Sequence, residues 1–282
     1  MAGTTNRVVA TARKPSTLSY LPDSPNVLKL ALDVTSQSSI QEALSAAPSK
    51  FGRIDVFVNN AGYTYFGDTE SAEDGESRRL MDTNFWGAVD ISKAALAILR
   101  DENPKTGQRG GVVMQVSSMG GRKAVPGNAF YHATKFALEG FTESIAQETP
   151  PEWNIHFCLI EPGGIKTSYA TSSLVPIPQH PLYTDPSLPT NKLKAYMSDP
   201  NASKNWAEPK DIAEVMYSTV KDGIEGANGG QRGIPLRLAL GADSWAFMKA
   251  GLEQNLKELD SFKSISFKTA GQEQLDSIKD FI

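Results

Sequence analysis

The sequence predicts an α/β fold with a doubly wound parallel sheet, because two kinds of segment alternate along the chain. Short, nearly continuous apolar segments recur, and segments with helical periodicity separate them. Continuous apolar segments are typical of strands that are covered on both faces. Strands that alternate with helices predict right-handed β–α–β units and hence a parallel sheet.

The strands and helices follow from these patterns in chain order. The predicted strands are Arg7–Ala12, Val27–Leu32, Ile54–Val58, Val112–Val116 and Ile155–Ile160, and an apolar pattern returns at Ile234–Leu240. The predicted helices are Ile40–Ala47, Ser77–Arg100, Asn128–Glu148, Pro209–Lys221 and Ala242–Leu259. Pro48 is expected to end the first helix, since proline lacks the N–H that continues the hydrogen-bond pattern.

Composition narrows the function classes. The chain has 282 residues, which favours one domain, and its net charge of −4 argues against a nucleic-acid partner. Cys158 is the only cysteine and the histidines lack ligand spacing, so we expect no disulfide and no metal site. No apolar segment is long enough to span a membrane, and the N-terminus has no signal-peptide pattern. These observations predict a cytoplasmic location.

The segment from about 168 to 206 differs from the rest of the chain. It contains six prolines together with apolar residues, at a length that is unusual for a connection inside a compact domain. We expect it to be a lid over a binding site rather than a linker. The expected lining residues are Leu174, Val175, Ile177, Leu182, Tyr183 and Met197. The alternative is a surface excursion whose apolar side chains only cover the core.

Four short motifs lie just beyond the carboxyl ends of predicted strands. They are Asn59–Gly62 (Asn-Asn-Ala-Gly), Ser117–Ser118, Tyr131–Lys135 (Tyr-His-Ala-Thr-Lys) and Pro162–Thr167 (Pro-Gly-Gly-Ile-Lys-Thr). Ligands of doubly wound sheets bind at that edge. Together the motifs resemble the short-chain dehydrogenase/reductase family, and the resemblance covers roughly residues 7 to 259. Within the family, Arg13 and the C-terminal layout are most similar to the 17β-hydroxysteroid and retinol dehydrogenase-like branch.

The resemblance implies a Rossmann-like fold and a catalytic group of Asn84, Ser118, Tyr131 and Lys135. Tyr131 and Lys135 are four residues apart on one helix, so an ammonium can favour the phenolate of an otherwise weak acid. By the family pattern, Ser118 holds the substrate oxygen and Asn84 holds a water in the proton relay. Singly, these residues can equally be a surface tyrosine, a helix-capping serine and a buried asparagine. Adjacent His132 points about 100° away and is expected to pack elsewhere.

The family pattern also names cofactor-binding residues. They are Arg13, Asp33, Asn60, Ala61, Gly62, Tyr131, Lys135, Pro162, Gly163, Ile165 and Thr167. No Asp or Glu stands between the first predicted strand and Asp23, and a guanidinium suits a 2′-phosphate, so the preferred cofactor is NADP. Arg13 has the alternative of a solvated loop residue. Asp33 is expected at the adenine, with helix N-capping ahead of Ser36 as its other role.

One family feature is absent from the sequence. The family opens with a strand, a glycine-rich loop that binds pyrophosphate, and a helix, whereas only six residues precede Arg7. The expectation is an N-terminally truncated fold. The predicted first and third strands would then close up, stay apart or admit a substitute between them.

The sequence therefore leaves two functions open. The first is an NADP-dependent oxidoreductase that interconverts a carbonyl and a secondary alcohol on a bulky apolar substrate. The second is a non-catalytic paralogue or truncated isoform that acts by protein association or is inert. A homodimer or homotetramer is a further expectation, since the Tyr131 helix carries small residues that permit close contact between helices of two copies. Tight packing of this helix on the chain's own sheet explains the small residues equally well.

Overall fold

The computed structural model describes residues 6–167, 173–199, 201–226 and 233–281. The described strands are β1 (Val8–Ala12), β2 (Val27–Ala31), β3 (Val56–Asn59), β4 (Thr64–Phe66), β5 (Gly111–Val116), β6 (Ile155–Pro162), β7 (Leu174–Pro176) and β8 (Arg237–Leu240). The described α-helices are α1 (Gln37–Phe51), α2 (Asp74–Met81), α3 (Gly87–Ala97), α4 (Ala129–Glu148), α5 (Pro189–Ser198), α6 (Pro209–Gly226), α7 (Ala242–Ser261), α8 (Lys263–Thr269) and α9 (Gln272–Ser277). None of these helices is both long and apolar enough to cross a membrane.

All described strand pairs are parallel, which confirms the predicted α/β fold. The largest sheet has the order β3-β5-β6-β8, and its central strands pair over six residues from Gly111 opposite Ile155 to Val116 opposite Ile160. Strands β1 and β2 form a second sheet, and the short strands β4 and β7 form a third. The first five predicted strands agree with the observed bounds to within two residues.

Helices cover both faces of the four-stranded sheet, which explains why most residues of its strands are apolar. On one face, Val113 packs with Ile91 of α3 and Ile145 of α4. On the other face, Val112 and Met114 pack with Cys158, Ile160 and Leu240, and side chains of α6 lie against them. Successive residues of β5 therefore enter opposite cores, and each core needs apolar side chains.

The β1–β2 sheet is separate from the four-stranded sheet. Among the described residues, β1 pairs only with β2, and β3 pairs only with β5. Helix α1 joins the two regions, since Ile40 lies in the core of the larger sheet and Arg7 donates to the Phe51 carbonyl at 2.7 Å. Of the three arrangements open to the sequence, the described strands show the one in which they stay apart.

Two helix predictions need correction. Pro48 does not end α1: it lies in the last turn, where only its own hydrogen bond is lost, and the Gly52 N–H closes the helix on the Pro48 carbonyl at 2.6 Å. The helix predicted from Ser77 begins at Asp74 and includes two π-helical turns, Asp82–Trp86 and Ile98–Glu102. In the first of them, the Gly87 N–H bonds back to the Asp82 carbonyl.

The expected lid is only partly described. Residues 168–172 and 200 of that segment lie outside the described residues. Within the remainder, β7 pairs with β4 from Thr64 opposite Leu174 to Phe66 opposite Pro176, and α5 begins at Pro189.

Helices α7 to α9 form the C-terminal part of the chain. Every side chain from Leu252 to Phe281 is exposed.

Candidate active site

Three elements meet beside Gly62, in the turn that follows β3. A Cβ atom on Gly62 would lie 3.1 Å from Asn84 Oδ1 and 3.8 Å from Lys135 Nζ, so only glycine permits this approach without displacing a neighbour. Asn84 comes from the π-helical turn, and Lys135 comes from α4. The fold therefore brings together three residues that the sequence separates by up to 73 positions.

Asn84 is fixed by three hydrogen bonds. Its Oδ1 accepts from the Tyr63 N–H at 3.0 Å, and its Nδ2 donates to the Tyr63 carbonyl at 2.9 Å and to Thr134 Oγ1 at 3.2 Å. The side chain is 1% exposed. The π-helical turn widens the helix at this position, and such turns are frequent at functional sites. Asn84 thus ties the β3 turn to the π-helical turn and to α4.

Lys135 is buried at the end of β5. Its Nζ donates to the Val116 carbonyl at 2.7 Å and lies 5.7 Å from the centroid of the Tyr131 ring. Burial lowers the pKa of Lys135 to about 8, and the charge of Glu139 opposes this shift. The lysine is still mostly protonated at neutral pH, and an ammonium beside the phenol favours the phenolate of Tyr131. The i, i+4 arrangement expected from the sequence is thus present.

Ser118 begins the loop between β5 and α4. Its Oγ accepts from the Gly120 N–H at 3.0 Å, which leaves the hydroxyl proton available for donation. The same loop is held from below by His132, whose Nδ1 lies 2.8 Å from the Gly120 carbonyl and whose Nε2 accepts from the Val125 N–H at 3.0 Å. Burial lowers the pKa of His132. His132 therefore packs under the loop, as expected: both ring nitrogens bond to the loop backbone, although its ring centroid lies 5.7 Å from that of Tyr131.

Arg13 and Asp33 follow β1 and β2, the two strands of the separate smaller sheet. Arg13 is exposed, and Asp33 Oδ1 accepts from the Thr35 N–H at 2.9 Å and from Thr35 Oγ1 at 2.7 Å. These hydrogen bonds, with a smaller contribution from the Arg13 charge, lower the pKa of Asp33. The N-cap of α1 is Ser36, whose Oγ accepts from the Ser39 N–H. The capping role considered for Asp33 is therefore wrong.

The Pro162–Thr167 turn is closed by a residue that the motif does not contain. Asp243 Oδ2 accepts from the Gly164 N–H at 2.7 Å, and a Cβ atom on Gly163 would overlap the Asp243 carboxylate. The Ile165 carbonyl accepts from the Thr167 N–H at 2.8 Å. Asn60, Ala61 and Gly62 are exposed, whereas Pro162 is buried at the end of β6.

A cleft of about 160 Å³ lies between the β4–β7 pair and α5. Its lining includes Phe66, Leu174, Pro176, Ile177 and Met197, with Asp68, Asn191 and Lys194 as polar members. None of the four candidate catalytic residues lines it, but Ile177 also belongs to the apolar cluster on which Tyr131 packs.

Three of the expected lining residues lie elsewhere. Leu182 is 84% exposed and Tyr183 is 39% exposed, since both stand in the turn that follows Pro181. Val175 packs with the Tyr131 cluster rather than in the cleft.

Comparison with known proteins decides the family. The family model described as short chain dehydrogenase matches residues 2–174. The chain belongs to the short chain dehydrogenase family. It is 40% identical to the oxidoreductase calM of Penicillium decumbens, over 93% of this chain and 84% of that protein. It is also 38% identical to a 3-ketodihydrosphingosine reductase of Bacteroides thetaiotaomicron, over 57% of this chain and 56% of that protein.

Solved structures agree with this assignment. A short-chain dehydrogenase from Streptomyces avermitilis superposes with a TM-score of 0.77 at 27% identity, covering 94% of this chain and 91% of that one. An alcohol dehydrogenase from Thermococcus sibiricus, complexed with 5-hydroxy-NADP, has the same fold, with a TM-score of 0.61 at 21% identity and coverage of 83% and 85%. The chain is therefore an oxidoreductase of a family that uses NAD or NADP.

Sequence reasoning missed a buried polar network beneath the site of this short chain dehydrogenase. Asn59 is 8% exposed, and its Nδ2 donates to Gln115 Oε1 at 2.9 Å and to Ser92 Oγ at 3.2 Å. Gln115 Nε2 also donates to Ser92 Oγ at 2.8 Å. The only signal in the sequence is one polar residue inside each of two apolar strands. The network fixes the ends of β3 and β5, where the site begins.

Proposed function

We propose that this short chain dehydrogenase is an NADP-dependent oxidoreductase that interconverts a carbonyl and a secondary alcohol on a bulky apolar substrate in the cytoplasm. The observation that carries the proposal is the convergence of Gly62, Asn84 and Lys135, with the Tyr131 ring beside the lysine. These residues come from three separate elements, and a purely structural role does not require their meeting at the sheet edge where ligands bind.

Tyr131 is the proposed acid and base. In the reduction, its hydroxyl donates a proton to the substrate oxygen, and in the oxidation the phenolate takes that proton back. A phenol has a pKa of about 10 and is a poor base at neutral pH, so it needs a nearby positive charge. Lys135 supplies that charge, and its bond to the Val116 carbonyl fixes the ammonium at 5.7 Å from the ring centroid.

Ser118 and Asn84 complete the proposed group. The Ser118 hydroxyl donates to the substrate oxygen, which holds the reacting group against Tyr131 and stabilises developing negative charge. Asn84 has both side-chain polar atoms engaged with Tyr63 and Thr134. Its Oδ1 accepts from the Tyr63 N–H and keeps a second lone pair, through which the proposed role is to hold the water of the proton relay.

The cofactor is the proposed source or acceptor of the hydride. The exposed turn at Asn60, Ala61 and Gly62, the Pro162–Thr167 turn and the Asp33 carboxylate are the residues proposed to hold it, with Tyr131 and Lys135 at the nicotinamide end. Within the Pro162–Thr167 turn, the residues proposed to contact the cofactor are Pro162, Gly163, Ile165 and Thr167. Arg13 is exposed beyond β1 and has no carboxylate beside it on that strand, which favours a 2′-phosphate and hence NADP.

The cleft between the β4–β7 pair and α5, which shares Ile177 with the cluster on which Tyr131 packs, supports the choice of an apolar substrate. Phe66, Ile177 and Met197 give it an apolar wall, and such sites hold ligands by shape with a few polar groups for orientation. This proposal also favours the 17β-hydroxysteroid and retinol dehydrogenase-like branch. Residues 168–206 would then act as the lid within a single catalytic domain.

The test is reduction of a panel of carbonyls with NADPH, followed in the Tyr131→Phe variant. We expect bulky ketones to be preferred and Tyr131→Phe to lose roughly 10²- to 10⁴-fold in kcat/KM with unchanged folding. Tyr20→Phe is the matched control, because Tyr20 is 77% exposed. Full activity of Tyr131→Phe would reject the catalytic assignment. Absence of NADPH binding in the wild type would instead favour the non-catalytic alternative.

We also propose a homodimer or homotetramer that forms through α4. Ala133 and Gly140 are exposed on this helix, Phe136 is 45% exposed, and Trp86 of the neighbouring π-helical turn is 52% exposed. Small residues beside exposed aromatic rings suit close helix contact between copies. Light scattering should give a multiple of the chain mass, reduced by Phe136→Glu; a monomer mass for the wild type would contradict the proposal.

A further inference from the structure

Two carboxyl groups are buried together beneath the catalytic helix. Glu139 of α4 is 5% exposed, and Glu161 near the end of β6 is 1% exposed. Carboxylates are almost never buried to this extent unless a partner compensates their charge. The active-site roles proposed above use neither residue, so their presence at this depth calls for a separate explanation.

Two arginines surround the pair from other elements. Arg237 of β8 lies 3.1 Å from Glu139 Oε2 and 4.0 Å from Glu161 Oε1, measured at Nε, and Arg122 of the β5–α4 loop lies 3.6 Å from Glu161 Oε1. Arg237 also binds the exposed carboxylate of Glu143 at 2.7 Å. Four elements thus contribute to one charged cluster. Cys158 of β6 lies in the apolar cluster on the other face of the sheet, where burial raises the pKa of its thiol to about 12.

The hydrogen bonds around the pair are incomplete if both acids are ionised. Within the described part of the chain, Oε1 of Glu139 and Oε1 of Glu161 are buried and have no hydrogen-bond donor. Two ionised carboxylates only accept hydrogen bonds, so neither can satisfy the other. One shared proton turns a repulsive contact into a donor–acceptor pair. The pKa of Glu161 is consistent with a shared proton, because burial, and next the neighbouring Glu139 charge, raise it to about 7.

The pair is joined to the active site through the helix. Glu139 follows Lys135 by four residues, so both lie on the same face of α4. Burial lowers the pKa of Lys135 because the ammonium loses its hydration, and the charge of Glu139 opposes this decrease. With one proton on the pair, Glu139 and Glu161 together carry −1 and Glu143 carries −1, which balances Arg122 and Arg237. Removal of the proton adds a negative charge below the ammonium.

We propose that Glu139 and Glu161 share one proton and form a positioning pair, whose remaining negative charge keeps the Lys135 ammonium charged and in place against the Val116 carbonyl. The inference rests on the role proposed for Lys135 in the active site. Neither glutamate touches the reacting atoms, so both act through the lysine. Their arginine partners hold the pair at a fixed depth in the core.

The first test measures folding without any ligand. Urea unfolding of the wild type, Glu161→Gln and Glu143→Gln is followed from pH 5 to pH 7. A buried acid with a raised pKa makes the folded state bind more protons than the unfolded state, so stability falls as pH rises. Relative to Glu161→Gln, the wild-type unfolding constant should rise several-fold per pH unit, or roughly fortyfold over this range. Glu143→Gln removes the same charge from the same arginine and should keep the wild-type slope.

The second test observes Lys135 directly. In protein labelled with ¹³C-lysine, the Cε signal absent from Lys135→Met reports the ionisation of this side chain. Glu139→Gln should make Lys135 titrate at lower pH by about half a unit or more, because the ammonium loses its nearest negative charge. Glu143→Gln should leave the titration unchanged. Glu139→Gln also removes the pair, so it serves the unfolding test if Glu161→Gln does not fold.

The outcomes separate this inference from the proposed function. Parallel pH dependence of wild type and Glu161→Gln would overturn the shared proton, and an unchanged Lys135 titration in Glu139→Gln would overturn the positioning role. Neither measurement needs cofactor or substrate. An inactive wild-type protein that shows both effects would reject the proposed function and support the pair. An active protein whose kcat/KM pH profile ignores Glu139→Gln would reject the pair alone.

Discussion

The four-stranded sheet and the β1–β2 sheet, which α1 connects, differ in how completely their residues are buried. In β5 and β6, nearly every residue is buried, and helices cover both faces. In β1 and β2, no residue is fully buried, and each strand has one hydrogen-bonded neighbour among the described residues. The larger sheet carries Ser118 and the Lys135 anchor, whereas the smaller sheet carries Arg13 and Asp33.

The difference indicates that the catalytic half of the site is held in place without a ligand, whereas the cofactor half is not. Asn84 and Lys135 already have fixed hydrogen bonds to the backbone around them. Arg13 extends into solvent from a thinly packed sheet. Catalysis requires groups held close to their working geometry, whereas a charged phosphate contact tolerates a mobile side chain. The predictions below break or sharpen this contrast, in order of decreasing effect.

A matched pair of leucines should show the largest contrast. Leu159→Ala in β6 removes a side chain that is 0% exposed, and it should lower the free energy of unfolding by about 2–5 kcal/mol. Leu30→Ala in β2 removes a half-buried side chain and should cost about 1 kcal/mol. Urea unfolding of both variants measures the difference. Equal losses would show that the β1–β2 sheet is as tightly packed as the larger sheet.

The buried lysine should give a pH signature of the packed half. Lys135 has a pKa of about 8 when folded and an ordinary value of 10.5, so between these values the unfolded state binds more protons. Stability of the wild type relative to Lys135→Met should therefore rise with pH from about 8 to 10.5, by about 3 kcal/mol in total. Exposed Lys14→Met is the control and should show no such rise. A flat difference would mean that Lys135 is hydrated in the folded protein.

The sequence alone was sufficient for the parts of the molecule in which pattern and environment agree. The continuous apolar segments predicted β5 and β6, because burial on both faces favours apolar side chains at most positions. The motif spacing suggested a site near Lys135, since residues four apart on α4 share a face. The meeting of Gly62, Asn84 and Lys135 depends on three elements and needed the structure.

Other features were invisible for physical reasons. Strands β4 and β7 have three residues each, too few for a periodic signal. Glu139 and Glu161 are 22 residues apart and read as surface charges until Arg122 and Arg237 are placed beside them. Asp243 closes the Gly163 turn from 80 residues away, and no local motif anticipates such a contact.

A cofactor-side variant should affect binding and leave folding unchanged. Arg13→Ala should weaken NADPH binding about tenfold or more and NADH binding much less, because only NADPH offers a 2′-phosphate to the guanidinium. The free energy of unfolding should stay within about 0.5 kcal/mol of wild type, since Arg13 is exposed. Fluorescence titration with both cofactors measures the ratio, and exposed Arg109→Ala is the control. An unchanged ratio would remove the argument for NADP.

The smallest effect should come from the boundary between the two sheets. Val58 lies within β3 and pairs with Met114, yet it is 46% exposed, whereas Val112 of β5 is 0% exposed. Val58→Thr should change the free energy of unfolding by less than about 0.5 kcal/mol, because its new hydroxyl meets water. Val112→Thr has the same shape change and should cost about 1–3 kcal/mol, because its hydroxyl is buried. Comparable losses from the two variants would show that Val58 is covered in the folded protein and that the boundary is packed like the rest of the larger sheet.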